Sequence, residues 1–206
     1  MILAISMKIT RMGDARTQGR AYTPPVLNHT ELPMRKIVLT FGLIAGAILS
    51  VMMLATMPFI DRIGNDKGEI IGYTTMIIAF LMVFFGVKSY RDNVAGGTIS
   101  FGRAFQVGGL ITLLAAVCYV ATWEVIYYKM MPDFGEKYAQ RAIDKAKAGG
   151  ATDAQLAATQ KEMAQFTEMY KNPVLNVGMT LLEPLPVGLL ITLISAGVLR
   201  RRKGAT

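Results

Sequence analysis

Four long apolar runs govern what this chain can become. They cover residues 37–60, 70–87, 104–128 and 173–199. The first two carry no charge, and the third and fourth carry one each, Glu124 and Glu183. Crossing about 30 Å of hydrocarbon takes about 20 helical residues, so each run is long enough or nearly so. Backbone N–H and C=O groups in lipid must be paired within the segment, which favours helices. The expectation is an all-α, four-helix integral membrane bundle. Composition agrees, with 52% of residues apolar and only 17% charged, against roughly 25% charged in ordinary soluble chains.

The net charge of +8 would suit a nucleic-acid binder if the basic residues formed a patch. They sit instead at the ends of the apolar runs, where Lys and Arg set membrane orientation. The partner they imply is therefore the lipid bilayer, and no nucleic acid. One set of ends holds Arg35, Lys36, Lys88, Arg91, Arg103 and the run Arg200 to Lys203. Its Lys and Arg are about twice as dense as on the other side, which places both termini in the cytoplasm.

Residues 1–33 differ from the rest: they are polar, with a Pro24-Pro25 pair and no helical period. "MILAI" is too short for the apolar core of a signal peptide. "PMRKIVLTFGLIAG" reads as a natural beginning at Met34, so 1–33 is expected to be disordered or a mis-assigned extension, ahead of a membrane domain over 34–203. The long polar loop between the third and fourth runs has its own pattern. Gly149-Gly150 is a helix stop, and Thr152 with Gln155 fits a capping box. Phe134, Tyr138 and Ala142 share one helical face, as do Leu156, Met163, Phe166 and Tyr170. The reading is an extramembrane helical hairpin over 133–171, its two stripes facing each other or the bilayer surface.

"YYKMMPDFGEKY" after the third run, a charged insert ending in "MYKNP", and "LLEPLPVGLLITLISAGVLRRRK" then follow in order. In this order the chain resembles a bacterial membrane protein family of unknown function, domain of unknown function 4199, over about residues 34–203. The resemblance implies a bacterial inner-membrane protein and carries no activity or ligand with it.

Glu183 is the first candidate for chemistry. It lies roughly 14 Å inside the fourth run at ~1.5 Å per residue, beside Pro184 and Pro186. Each proline removes a backbone donor, which would free the carbonyls of Thr180 and Leu182, and the residue before a proline avoids the helical region. A broken helix with an acid resembles a transporter cation or proton site. The same residues also fit a helix that begins at Pro184 with Glu183 at its N-terminus, where the dipole favours an anion. Glu124 lies among Trp123, Tyr127 and Tyr128, as in an interfacial aromatic belt. The alternative is that the two acids share an outward cleft, with Tyr73, Thr74 and Thr75 at similar depth.

Gly42, Gly46 and Ser50 form a stripe of small residues, and Gly108, Thr112 and Ala116 form another. Such stripes let helices approach closely, whether within the chain, in a homodimer or against another membrane protein. Cys118 and His29 stand alone in the sequence, so Cys/His metal sites and a His-dependent triad are not expected. Met130, Met131, Met163 and Met169 form no tight cluster for Cu(I). No phosphate loop, nucleophile elbow or metalloprotease motif occurs, and no cofactor is expected. The leading expectation is a non-enzymatic interaction or assembly protein working through its hairpin or its bundle. The alternative is a small proton- or cation-linked transport component using Glu183.

Overall fold

The computed structural model describes residues 34–201; the expectations for 1–33, and for 202 and 203 at the far end, fall outside them. Helix α1, Met34–Thr56, enters directly with the apolar run. Pro58 cannot donate to the helical ladder, and at Met57–Phe59 the chain tightens into a 3₁₀ turn before a short α2, Ile60–Ile63. Gly64 stops it with φ +81°, a conformation suited to glycine. Helix α3, Asn65–Asn93, runs back, and Gly96 and Gly97 (φ +64° and +82°) turn the chain again. Ser100 then caps α4, Phe101–Lys129, by accepting from the Arg103 N–H. Ile99 and Arg201 exchange backbone hydrogen bonds of 3.1 and 3.0 Å, fastening the end of the fourth span to this turn.

The hairpin consists of α5, Phe134–Ala148, and α6, Asp153–Lys171. Gly150 (φ +77°) makes the turn, and Thr152 with Gln155 forms the reciprocal capping box that the sequence announces. Asn172 caps the next helix by accepting from the N–H groups of Val174 and Leu175, with Pro173 in the first turn, where a missing donor costs nothing. The fourth apolar run is split into α7, Pro173–Leu181, and α8, Pro184–Leu199.

Four segments are long and apolar enough to cross a membrane: Met34–Ile63, Lys67–Asn93, Phe101–Lys129 and Pro173–Leu199. They form an all-α bundle, with no named strand among the described residues. Helix α4 is the central post, packed on α1 and α8, while α3 closes the ring against both. Half of the apolar window of α4 is buried, against 22–39% for the other spans. Leu43, Val51, Ile78, Leu113, Leu190 and Val198 point outward. A belt of large apolar side chains around all four helices is what lipid requires and what a soluble monomer avoids.

The stripes of small residues are consumed inside the chain. A Cβ built on Gly42 would lie 2.7 Å from Leu114, and one on Gly46 would lie 2.6 Å from Cys118. One turn further, the Thr122 hydroxyl donates to Ser50 at 2.7 Å. Gly42, Gly46 and Ser50 therefore form the α1–α4 seam. Gly108 and Thr112 meet α8, where Gly188 would drive any Cβ into Thr112 and Phe80. The hydroxyls of Thr112 and Thr192 lie 3.0 Å apart, and Thr112 also donates to the Gly188 carbonyl. These buried hydroxyls satisfy one another where no water is available.

Candidate functional site

The helical spacing of Asn176, Thr180 and Glu183 puts three polar groups on one side of α7 and its break. Asn176 and Glu183 find partners on α4 or at the end of α6, and Thr180 donates to Asn176 within α7. Asn176 is fully buried. Its Oδ1 accepts from the Trp123 indole N–H and from the Thr180 hydroxyl, both at 3.3 Å, and its Nδ2 donates to the Tyr170 carbonyl at 3.3 Å. A buried amide without such bonds would be costly, so this set fixes how α7 docks on α4.

Glu183 ends the row. The chain leaves the helical ladder at Leu182 and Glu183, and α8 begins at Pro184. Glu183 thus occupies the position before the helix, yet its side chain makes no capping bond. Instead its Oε2 accepts a 2.5 Å hydrogen bond from the Tyr119 hydroxyl. The Thr180 carbonyl, expected to be free, accepts from the Glu183 N–H at 3.4 Å. Pro184 is buried in the bundle and Pro186 is exposed.

Tyr119 and Glu183 line a cleft at the hairpin end of the bundle. One chamber of about 240 Å³ lies between them and the hairpin, walled by Trp123, Phe134, Tyr138 and Phe166. A second, of about 130 Å³, adds Glu69, Tyr73 and Arg141. A third opening, of about 50 Å³, continues between α1 and α3 among Met52, Met53, Ile71 and Met76. Met57 and Tyr119 line all three.

The roof of the cleft is aromatic. Tyr138 packs on Phe166 at 5.1 Å between centroids, and Phe134 on Trp123 at 4.7 Å and Tyr170 at 5.7 Å. The two stripes of the hairpin therefore face each other and the top of α4. Burial pushes the Tyr170 phenol above its ordinary pKa. Arg141 of α5 holds Asp61, beyond the first span, at 2.6 Å, a second tie between hairpin and bundle.

Sequence reasoning found Glu183 and the break at Pro184, and it put Tyr73 and Glu183 at a common depth; both line the second chamber. Glu124 does not join them. It lines none of the three chambers, and its Oε1 is buried without a partner among the described residues. Thr75 lines the third opening and is bonded back to the Ile71 carbonyl, while Thr74 is exposed. Sequence reasoning missed Asn176 and Tyr119. The signals for them were present: Asn176, Thr180 and Glu183 at helical spacing, and Tyr119, Trp123 and Tyr127 at steps of four.

An all-helical bundle with four apolar crossings and a polar cleft beneath a helical cap is a multi-pass membrane protein. The chain belongs to the family described as protein of unknown function (DUF4199), whose match covers residues 40–201. No curated protein and no solved structure matches it.

Proposed function

We propose that this protein is a non-enzymatic component of a bacterial inner membrane that holds a ligand in the cleft under its hairpin. Both termini face the cytoplasm and the hairpin faces outward, a reading supported by the denser Lys and Arg at the opposite ends of the spans. The observation that carries the binding role is the Tyr119–Glu183 pair, joined across two spans and lining two chambers. Concave, mostly apolar sites with a few convergent polar groups are the usual form of ligand pockets. The hairpin turns its aromatic rings inward onto this cleft, which supports a lid more than a free docking platform. An interaction or assembly role would then pass through what the cleft holds.

A second reading is a proton- or cation-linked transport component. It is favoured by the position of a carboxylate at a helix break inside a membrane span. The close-packed seam of Thr112, Gly188 and Thr192 beyond Glu183 argues for binding over passage. A cysteine at position 183, in a Cys118→Ser background, separates the two. Labelling by a polar thiol reagent from the hairpin side alone is the expected result. Labelling from both sides would favour transport, and full protection would end both readings of this residue. Reporter fusions after Gly97 and Arg202 should report cytoplasm, and one after Gly150 the outside; the reverse at Gly150 would overturn the orientation.

A further inference from the structure

The chemistry of the cleft wall is uneven, and it selects a ligand class. The larger chamber is walled by aromatic rings, Tyr119, Trp123, Phe134, Tyr138, Phe166 and Tyr170, and its sole carboxylate among the described residues is Glu183. Among the described residues no lysine or arginine lines it. The neighbouring chamber adds Glu69, and Arg141, the one basic group among its described lining residues, is held by Asp61 at 2.6 Å. Ring faces attract cations through their quadrupole, and aromatic boxes with a nearby carboxylate suit alkylated ammonium groups. An anion would gain little here. Helix N-termini hold anions through free N–H groups, but Pro184 and Pro186 remove two of those from the first turn of α8.

The room also decides. At about 240 Å³ the chamber is smaller than the ~300–1,000 Å³ of pockets that enclose drug-sized molecules. It takes a head group. The opening between α1 and α3 supplies a place for a tail: it is lined by Met52, Met53, Ile71 and Met76, and it shares Met57 and Tyr119 with the chamber. Resting on the binding role given above, we propose that the cleft binds a bilayer amphiphile by an alkylated ammonium head group, with its hydrocarbon tail in the groove between α1 and α3. The head sits among the rings beside Glu183. The tail leaves past Met57 toward lipid.

Trp123 is the only tryptophan of the chain and lines the chamber, so its fluorescence reports occupancy. Sub-micellar dodecyltrimethylammonium is titrated into the full chain held in a neutral detergent. The emission should change saturably. Glu183→Gln should weaken binding roughly tenfold, the size of one well-placed ionic or cation–π contact, while the helical circular dichroism stays unchanged. Tetramethylammonium should bind more weakly than the long-chain compound. Gly72 lines the groove and has open space where a side chain would stand. Gly72→Leu should therefore remove the advantage of the long chain over tetramethylammonium. Equal affinity for both compounds in the wild type would overturn the amphiphile. Equal affinity of wild type and Glu183→Gln would overturn the head-group assignment. A saturable response to dodecyl sulfate alone would overturn the ammonium class and leave the cleft a binding site. No saturable response of the wild type to any probe, where a cysteine at position 183 in the Cys118→Ser background is labelled from water, would overturn the proposal and leave only an open cleft.

Discussion

Helix α4 meets the fourth span twice, and the two meetings differ. Toward the basic end, Gly108 and Thr112 press against Gly188 and Thr192 with no room for one more carbon. Toward the hairpin end, Tyr119 and Trp123 face Thr180, Glu183 and Asn176 across hydrogen bonds and a cavity. The break at Glu183 separates the two regimes. In lipid, close approach of backbones is a main source of helix association. Where small residues permit it, the interface is tight and chemically mute. Where larger side chains hold the helices apart, polar groups must find one another, and space is left that a ligand can enter.

The contrast can be broken at its tight end first. Gly188→Leu should be the most damaging change, because the new side chain meets Thr112 and Phe80 at once. Overpacking of this kind costs about 1–3 kcal/mol or more, read as loss of folded protein in a denaturation series. If Gly188→Leu is as mild as Gly72→Leu, the seam is not close-packed. Next is Asn176→Leu at the open end. It takes the shared acceptor from the Trp123 N–H and the Thr180 hydroxyl and the side-chain donor from the Tyr170 carbonyl, at about 1–3 kcal/mol for buried polar groups that lose a partner, and Trp123 emission should shift with it. An unchanged spectrum and melting curve would remove Asn176 as the docking residue of α7.

Tyr119→Phe deletes one hydroxyl from a half-open site and should cost about 0.5–1.5 kcal/mol. Its stability loss should not add to that of Glu183→Ala, because each variant removes the same bond. Strict additivity would show that the two groups act separately. The smallest effect belongs to the hairpin surface. The Lys137 ammonium, bonded to Asp133 at 2.8 Å, holds that carboxyl below its ordinary pKa. A lowered folded pKa stabilises above the unfolded value, and the gain is lost as pH falls through the folded one. In Lys137→Ala the acid-induced loosening of the hairpin should move to higher pH, followed by circular dichroism; no movement would make the pair decorative.

The reading of the sequence was best where the cause was local. The Gly149-Gly150 stop, the Thr152–Gln155 box and the interruption at Glu183-Pro184 each depend on a few neighbouring residues, and all are present in the fold. It was weakest for Glu124. An acid among aromatic residues looks much the same whether it faces a cleft or a crowded flank, and one step around the helix decides which.

The sequence by itself determined that there are four apolar crossings, a capped hairpin between the last two and a break in the fourth. These follow from hydrocarbon thickness, from helical period and from the missing N–H of proline, none of which needs a partner. Only the tertiary structure decided that Gly46 meets Cys118, that Asn176 takes the indole of Trp123, and that Glu183 answers to Tyr119 and not to its own helix. Those choices depend on the rotation of each helix about its axis. That rotation is set when small faces on distant segments settle against one another, and no single segment contains the information.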